Sequence, residues 1–184
     1  MPIAGCSRSS SPSTGSGAST PVTCTASSCA NSPDYNPALW NDPKIKNSTN
    51  CYAYAANDPA GHPPGKPQPG EHCGAPITDV TCAEVGRGAS CDGMTPAPNP
   101  PTAKAGYYPV ALVMDPGIDY HWYRLDGNGR WIHKPGNTEA TDVNASGKVI
   151  TNPETADRNY GTVNYQQFCG YYYVPSGGVR TGPP

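Results

Sequence analysis

The chain has 184 residues, a formal net charge of −2 and no basic run, so nucleic-acid binding lacks electrostatic support. With 21 Gly and 23 Pro against one Phe, long helices are excluded and short strands with irregular connections are expected. Eight cysteines, Cys6, Cys24, Cys29, Cys51, Cys73, Cys82, Cys91 and Cys169, include no C-x-x-C pair. Zinc spacing is therefore absent, no metal or cofactor is expected, and the cysteines predict an oxidised, extracellular disulfide framework.

Residues 1–33 form an arm rich in Ser, Thr, Pro and Gly, a composition that predicts disorder or an O-glycosylated stalk. Ordering such a segment costs about 1–2 kcal/mol per residue in backbone entropy, with little apolar surface to offset it. Contact with a neighbouring copy, cross-linking or sugar is what would hold it. Met1–Gly5 has no signal-peptide character, so secretion implies a leader removed before the mature chain. No apolar stretch is long enough to span a bilayer. Two sequons, Asn47-Ser-Thr and Asn144-Ala-Ser, make Asn47 and Asn144 candidate glycan sites.

Residues 34–175 read as one domain, followed by a polar tail at 176–184. Tyr35, Leu39 and Trp40 pin Asp34–Thr49 to its surface. Asn50 reads as an N-cap and Cys51–Asn57 as a short helix stopped by Asp58-Pro59. A Pro/Gly-rich loop at 59–76 carries His62 and His72, both expected in solvent. Thr78–Val85 reads as a second short helix, and Gly86–Ala105 as an irregular crossing. Tyr107–Met114 is the one sustained apolar run and a central strand. An aromatic hairpin follows, Asp119 to Gly136, then small strands at Lys148–Thr151 and Cys169–Val174. The order predicts an α+β domain, loop-rich and disulfide-stapled.

The hairpin turn decides what the two histidines can do. A two-residue Asn128-Gly129 loop pairs Arg124 with His133 and sends His121 to the opposite face. A three-residue Gly127-Asn128-Gly129 loop pairs Tyr123 with His133, and His121, Tyr123, Leu125, Trp131 and His133 then share a face. The second register requires positive φ at Gly129, and backbone rules alone leave both open.

A cysteine opening a helix sits at the positive end of the helix dipole, which favours thiolate. A base on an adjacent sheet completes a nucleophile–base pair, and a further polar group orients the base. Cys51, His121 and His133 stand in that order. Here the chain resembles the NlpC/P60 and related papain-like cysteine peptidases. The run His121-Trp-Tyr-Arg-Leu-Asp-Gly-Asn-Gly-Arg-Trp-Ile-His133 keeps the family's interval between histidines and its glycine-containing turn. The likeness covers residues 50–136. It departs at Asn50-Cys51-Tyr52-Ala53, where the family has Asp-Cys-Ser-Gly, and at bulky Trp122 and Tyr123 after His121. It implies a papain-like core, with a short Cys-bearing helix packed on a small antiparallel sheet. It also implies candidate roles of nucleophile for Cys51, base for His121 and orienter for His133.

Other readings of the same residues stand beside this one. An even cysteine count assigns Cys51 to a disulfide, because a free Cys51 leaves another cysteine unpaired. The histidines can be neutral packing groups, and the aromatic residues the core. Asp115, Asp119 and Asp126 lack the spacing of a paired-acid site, which leaves glycoside hydrolysis unsupported. Two functions follow. One is a secreted, glycosylated structural subunit of a fibre or matrix that self-associates through its arm. The other is a secreted cysteine amidase or peptidase of NlpC/P60 type acting on peptide or cell-wall crosslinks.

Overall fold

A computed structural model describes residues 29–60 and 66–184. The expectations for Cys6, Cys24, His62 and most of the N-terminal arm lie outside the described residues.

Within the described residues, four short helices with both ends in view precede the sheet: α1 (Pro37–Trp40), α2 (Pro43–Ser48), α3 (Cys51–Ala56) and α4 (Cys82–Cys91). Each opens on a side-chain oxygen that accepts a backbone N–H of the first turn: Asn36, Asp42, Asn50 and Thr81. Asn50 accepts from Ala53 N at 3.0 Å, as the sequence predicts, and its amide nitrogen also donates to the Pro67 carbonyl at 2.8 Å. Helix α3 ends at Asn57, whose φ of 56° is left-handed. The second helix begins at Cys82 and not at Thr78. Thr81 takes the cap, while Thr78 N donates to the Glu84 carboxylate.

Strands β1 (Thr95–Ala97), β2 (Tyr107–Asp115), β3 (Asp119–Leu125), β4 (Trp131–His133) and β5 (Gln167–Pro175) form one antiparallel sheet. Their spatial order is β1-β5-β2-β3-β4. Strand β1 falls inside the expected irregular crossing at 86–105. The expected strand at Lys148–Thr151 is only a single bridge, Val143 to Val149. The run at 107–114 is apolar throughout because both faces of β2 are covered. Val110, Leu112 and Met114 face α3 and α4 together with Trp122. Ala111 and Val113 face the second layer with Tyr123, Leu125, Trp131, Tyr165 and Tyr171.

Two disulfides fix α4 at both ends: Cys73–Cys91 at its last residue and Cys82–Cys169 at its first. The register of β5 against β2 skips Cys169, between Gly170 opposite Leu112 and Phe168 opposite Val113. That bulge carries the cysteine that meets Cys82. Helix α4 also needs Gly86, because a Cβ there would lie 2.1 Å from the Tyr172 hydroxyl. Buried Asp92 ties this end of the molecule together, accepting from Tyr52 OH, Gly70 N and Cys73 N. Residues 176–184, read as a polar tail, fold back on α3. Val179 N donates to Ala56 O, and buried Thr181 donates to the Asp58 carboxylate through both its N–H and its hydroxyl. His72, expected in solvent, is half-buried, with Nδ1 3.1 Å from Gly182 O.

Candidate active site

The hairpin adopts the three-residue turn. Tyr123 pairs with His133 and Leu125 with Trp131, and Gly129 has φ 77°. His121 and His133 therefore share a face, with His121 Nε2 2.7 Å from His133 Nδ1. His133 Nε2 lies 2.9 Å from the Val143 carbonyl. A carbonyl only accepts, so His133 carries its proton on Nε2 and has a lone pair on Nδ1. His121 must then donate from Nε2, which leaves the lone pair of Nδ1 free. Burial holds both rings neutral. It drives His121 well below its ordinary value, with the neighbouring His133 adding to the effect. Burial also lowers His133 to about 4, against the opposing effect of its bond to Val143.

Strand β4 stops at His133, opposite Tyr123, so it leaves the Asp119–Trp122 stretch of β3 without a strand on that side. Cys51, the first residue of α3, meets β3 there, its Sγ 3.9 Å from the Tyr120 carbonyl. Two sequence expectations are corrected. Cys51 is a free, buried thiol and not half of a disulfide. Its pKa is pushed up to about 12, and not down toward thiolate. Desolvation dominates, helped by the Asp119 charge, while hydrogen bonds from the backbone of Trp122, Tyr52 and Cys51 act the other way without winning. A helix of six residues offers too little dipole to reverse that order.

Cys51 and His121 line one cavity of about 220 Å³ together with Asn50, Lys66, Gln68, Asp119, Tyr120, Gly136 and Tyr165. Lys66, Gln68 and Tyr165 carry no local signature and reach the site from loops and from the segment before β5. Tyr165 stacks on the His121 ring and donates to the Asp119 carboxylate at 2.8 Å. Tyr120 donates to Gln68 Oε1 at 2.6 Å. Lys134 is fully buried and donates to the carbonyls of Lys46, Thr49 and Gly136 at 2.8, 2.9 and 2.6 Å. The adjacency of Lys134 to His133 was the one clue to it. Among the described residues, no group of acidic, His or Cys side chains is arranged to hold a metal ion.

Of the two sequons, Asn47 is exposed on α2. The Asn144 side-chain oxygen accepts from Ser146 N and Lys148 N in a turn.

Insoluble matrix shell protein 1 of Ruditapes philippinarum is 38% identical to the chain over 140 residues, 76% of this chain and 88% of that protein. The chain belongs to this matrix shell protein family. No family model and no solved structure matches it. Membership in the matrix shell protein family, together with the Cys73–Cys91 and Cys82–Cys169 disulfides, makes the chain an extracellular protein. No helix among the described residues is long and apolar enough to cross a membrane.

Proposed function

We propose that the chain is a structural subunit of an extracellular shell matrix, built on a degenerate papain-like domain of NlpC/P60 type. The kinship with an insoluble matrix shell protein carries this reading. A core fastened by disulfides at both ends of α4 suits a protein that must persist outside the cell. Self-association through the 1–33 arm and glycans on Asn47 and Asn144 belong to the same proposal. Peptides of this chain should be recovered from the insoluble organic fraction of the matrix. Recovery from the soluble extracellular fluid alone would overturn the structural role.

One observation favours a second reading, a cysteine amidase or peptidase. A free Cys51 thiol lines the same cavity as His121, whose Nδ1 lone pair is left open by the ladder His121–His133–Val143. With a buried neutral thiol and a neutral imidazole, the chemistry is general-base and not a resting ion pair. The Cys51 proton passes to His121 Nδ1 as the sulfur–carbon bond forms. The carbon–nitrogen bond then breaks, the amine leaves with that proton, and water cleaves the thioester. Trapping an acyl-enzyme on Cys51 by mass spectrometry, lost in both Cys51→Ala and His121→Ala, is the expected result. An unmodified thiol after incubation with a broad peptide amide library would leave the domain purely structural.

A further inference from the structure

The cavity at Cys51 is not the only space that reaches His121. A second cavity of about 310 Å³ is lined by His121, Pro135, Thr138, Tyr160, Val163 and Tyr165. His121 and Tyr165 are common to both linings, so the two cavities border the same imidazole. The two differ in chemistry. At the Tyr160 end the lining is aromatic and aliphatic, and Tyr160 is still 37% exposed.

The Cys51 end holds two charged groups that can face a ligand, Lys66 and Asp119. Asp119 is already engaged, one oxygen accepting from Tyr120 N and the other from Tyr165 OH. Among the described residues no carboxylate pairs with the Lys66 ammonium. That ammonium sits over Gly136, at 3.5 Å from where a Cβ would lie. Lys134 adds a second positive charge just behind, spent on three carbonyls. Lys66 is thus the charged group of this cavity left without a partner among the described residues, and a ligand carboxylate is the group that would pair with it.

We infer that the two cavities act as one trough, which takes a peptide-like acyl compound with a carboxylate on Lys66 beside Cys51 and an apolar side chain in the Tyr160–Val163 cavity beyond His121. This deepens the amidase reading and rests on it. Lys66 is then a specificity residue, and the side-chain preference is set on the opposite side of the nucleophile.

Alkylation of Cys51 in the folded, disulfide-intact protein tests this without a known substrate. Three probes are compared at mildly alkaline pH: iodoacetamide, iodoacetate and N-benzyliodoacetamide. Each rate is read on the Cys51 peptide by mass spectrometry and normalised to the rate with free cysteine. Iodoacetate should be favoured over iodoacetamide by about threefold, the size of a half-exposed ion pair. The preference should vanish in Lys66→Ala and in about 0.5 M NaCl. N-Benzyliodoacetamide should likewise outpace iodoacetamide, with the advantage lost in Val163→Glu and kept in Lys66→Ala. Normalised rates that are equal for all three probes would overturn the ligand class and leave Cys51 as an accessible nucleophile. Failure of every probe to label Cys51 would overturn the ligand class and the amidase reading together.

Discussion

The Lys134 ammonium donates to the carbonyl of Thr49, the residue just before the cap of the helix that opens with Cys51. Lys134 follows His133 in the chain, so one buried cation couples the position of the orienting imidazole to that of the thiol. Its other two bonds, to Lys46 O and Gly136 O, close the same junction from both sides. Burial lowers the Lys134 pKa to about 8, with the Lys66 charge adding to the effect.

Replacing this cation tests the coupling. Lys134→Met leaves three carbonyls without a donor and should destabilise the protein by about 3 kcal/mol in urea unfolding. In the same variant, alkylation of Cys51 under native conditions should quicken, because the β3–α3 junction opens more often. A Cys51 rate equal to that of the parent would show that Lys134 does not position the thiol.

The histidine pair predicts acid sensitivity. Both folded values lie below the unfolded value, His133 at about 4, so unfolded chains bind more protons once the pH falls below the ordinary histidine range. Stability is full above about pH 6.5, falls as the pH drops, and levels off below the folded value. The His133 share is about 3 kcal/mol, and the pair titrates as a unit. Urea midpoints measured between neutral pH and pH about 4.5 should show the slope. His133→Gln should flatten it.

Gly129 holds φ 77° at the hairpin turn. A β-branched side chain there forces the backbone out of the left-handed region, so Gly129→Val should cost about 1–3 kcal/mol. Gly129→Asn, which tolerates that region, should cost clearly less. Equal losses in the two variants would point to a cause other than φ.

The Cys82–Cys169 bridge closes a separation of 87 residues. Chain-entropy reasoning assigns such a loop about 4.5 kcal/mol. A Cys82→Ala/Cys169→Ala double variant should therefore lose most of the stability of a small domain in thermal melts. The Cys73–Cys91 pair, across 18 residues, should cost less when removed in the same way.

Local signals carried the parts of this structure that depend on few residues. Asn50 as a cap and the β2 run were legible, because each follows from backbone rules acting within a few positions, whereas those rules left two hairpin registers open and the family-like spacing of the histidines pointed to the three-residue one. The outcome for Cys51 was not. Parity assigned it to a disulfide, yet the pairings of Cys73 and Cys82 depend on a loop wrapping α4 and on a bulge at Cys169, neither of which has a local signature. The direction of its pKa was missed for a related reason. The helix terminus is visible in sequence, whereas the desolvation by β3 that outweighs it is a property of the packed molecule. Strand β1 went unread because Thr95-Pro96-Ala97 has no alternation and is a strand only through its pairing with Tyr171–Tyr173. Lys66 and Tyr165 enter the site from segments with no periodicity at all.

The two outermost strands of the sheet set a limit on how copies of this domain can join. β1 and β4 are three residues each. Pro96 removes a donor at the centre of β1, and His133 of β4 is already bridged to Thr141. Neither rim offers a ladder long enough to template another chain, although the interior strands are rich in tyrosine and valine. A matrix made from this domain would therefore not grow by strand addition as amyloid does. Its cohesion would come from side chains, loops and covalent links on the outer surface, and it should give no cross-β diffraction at 4.7 Å.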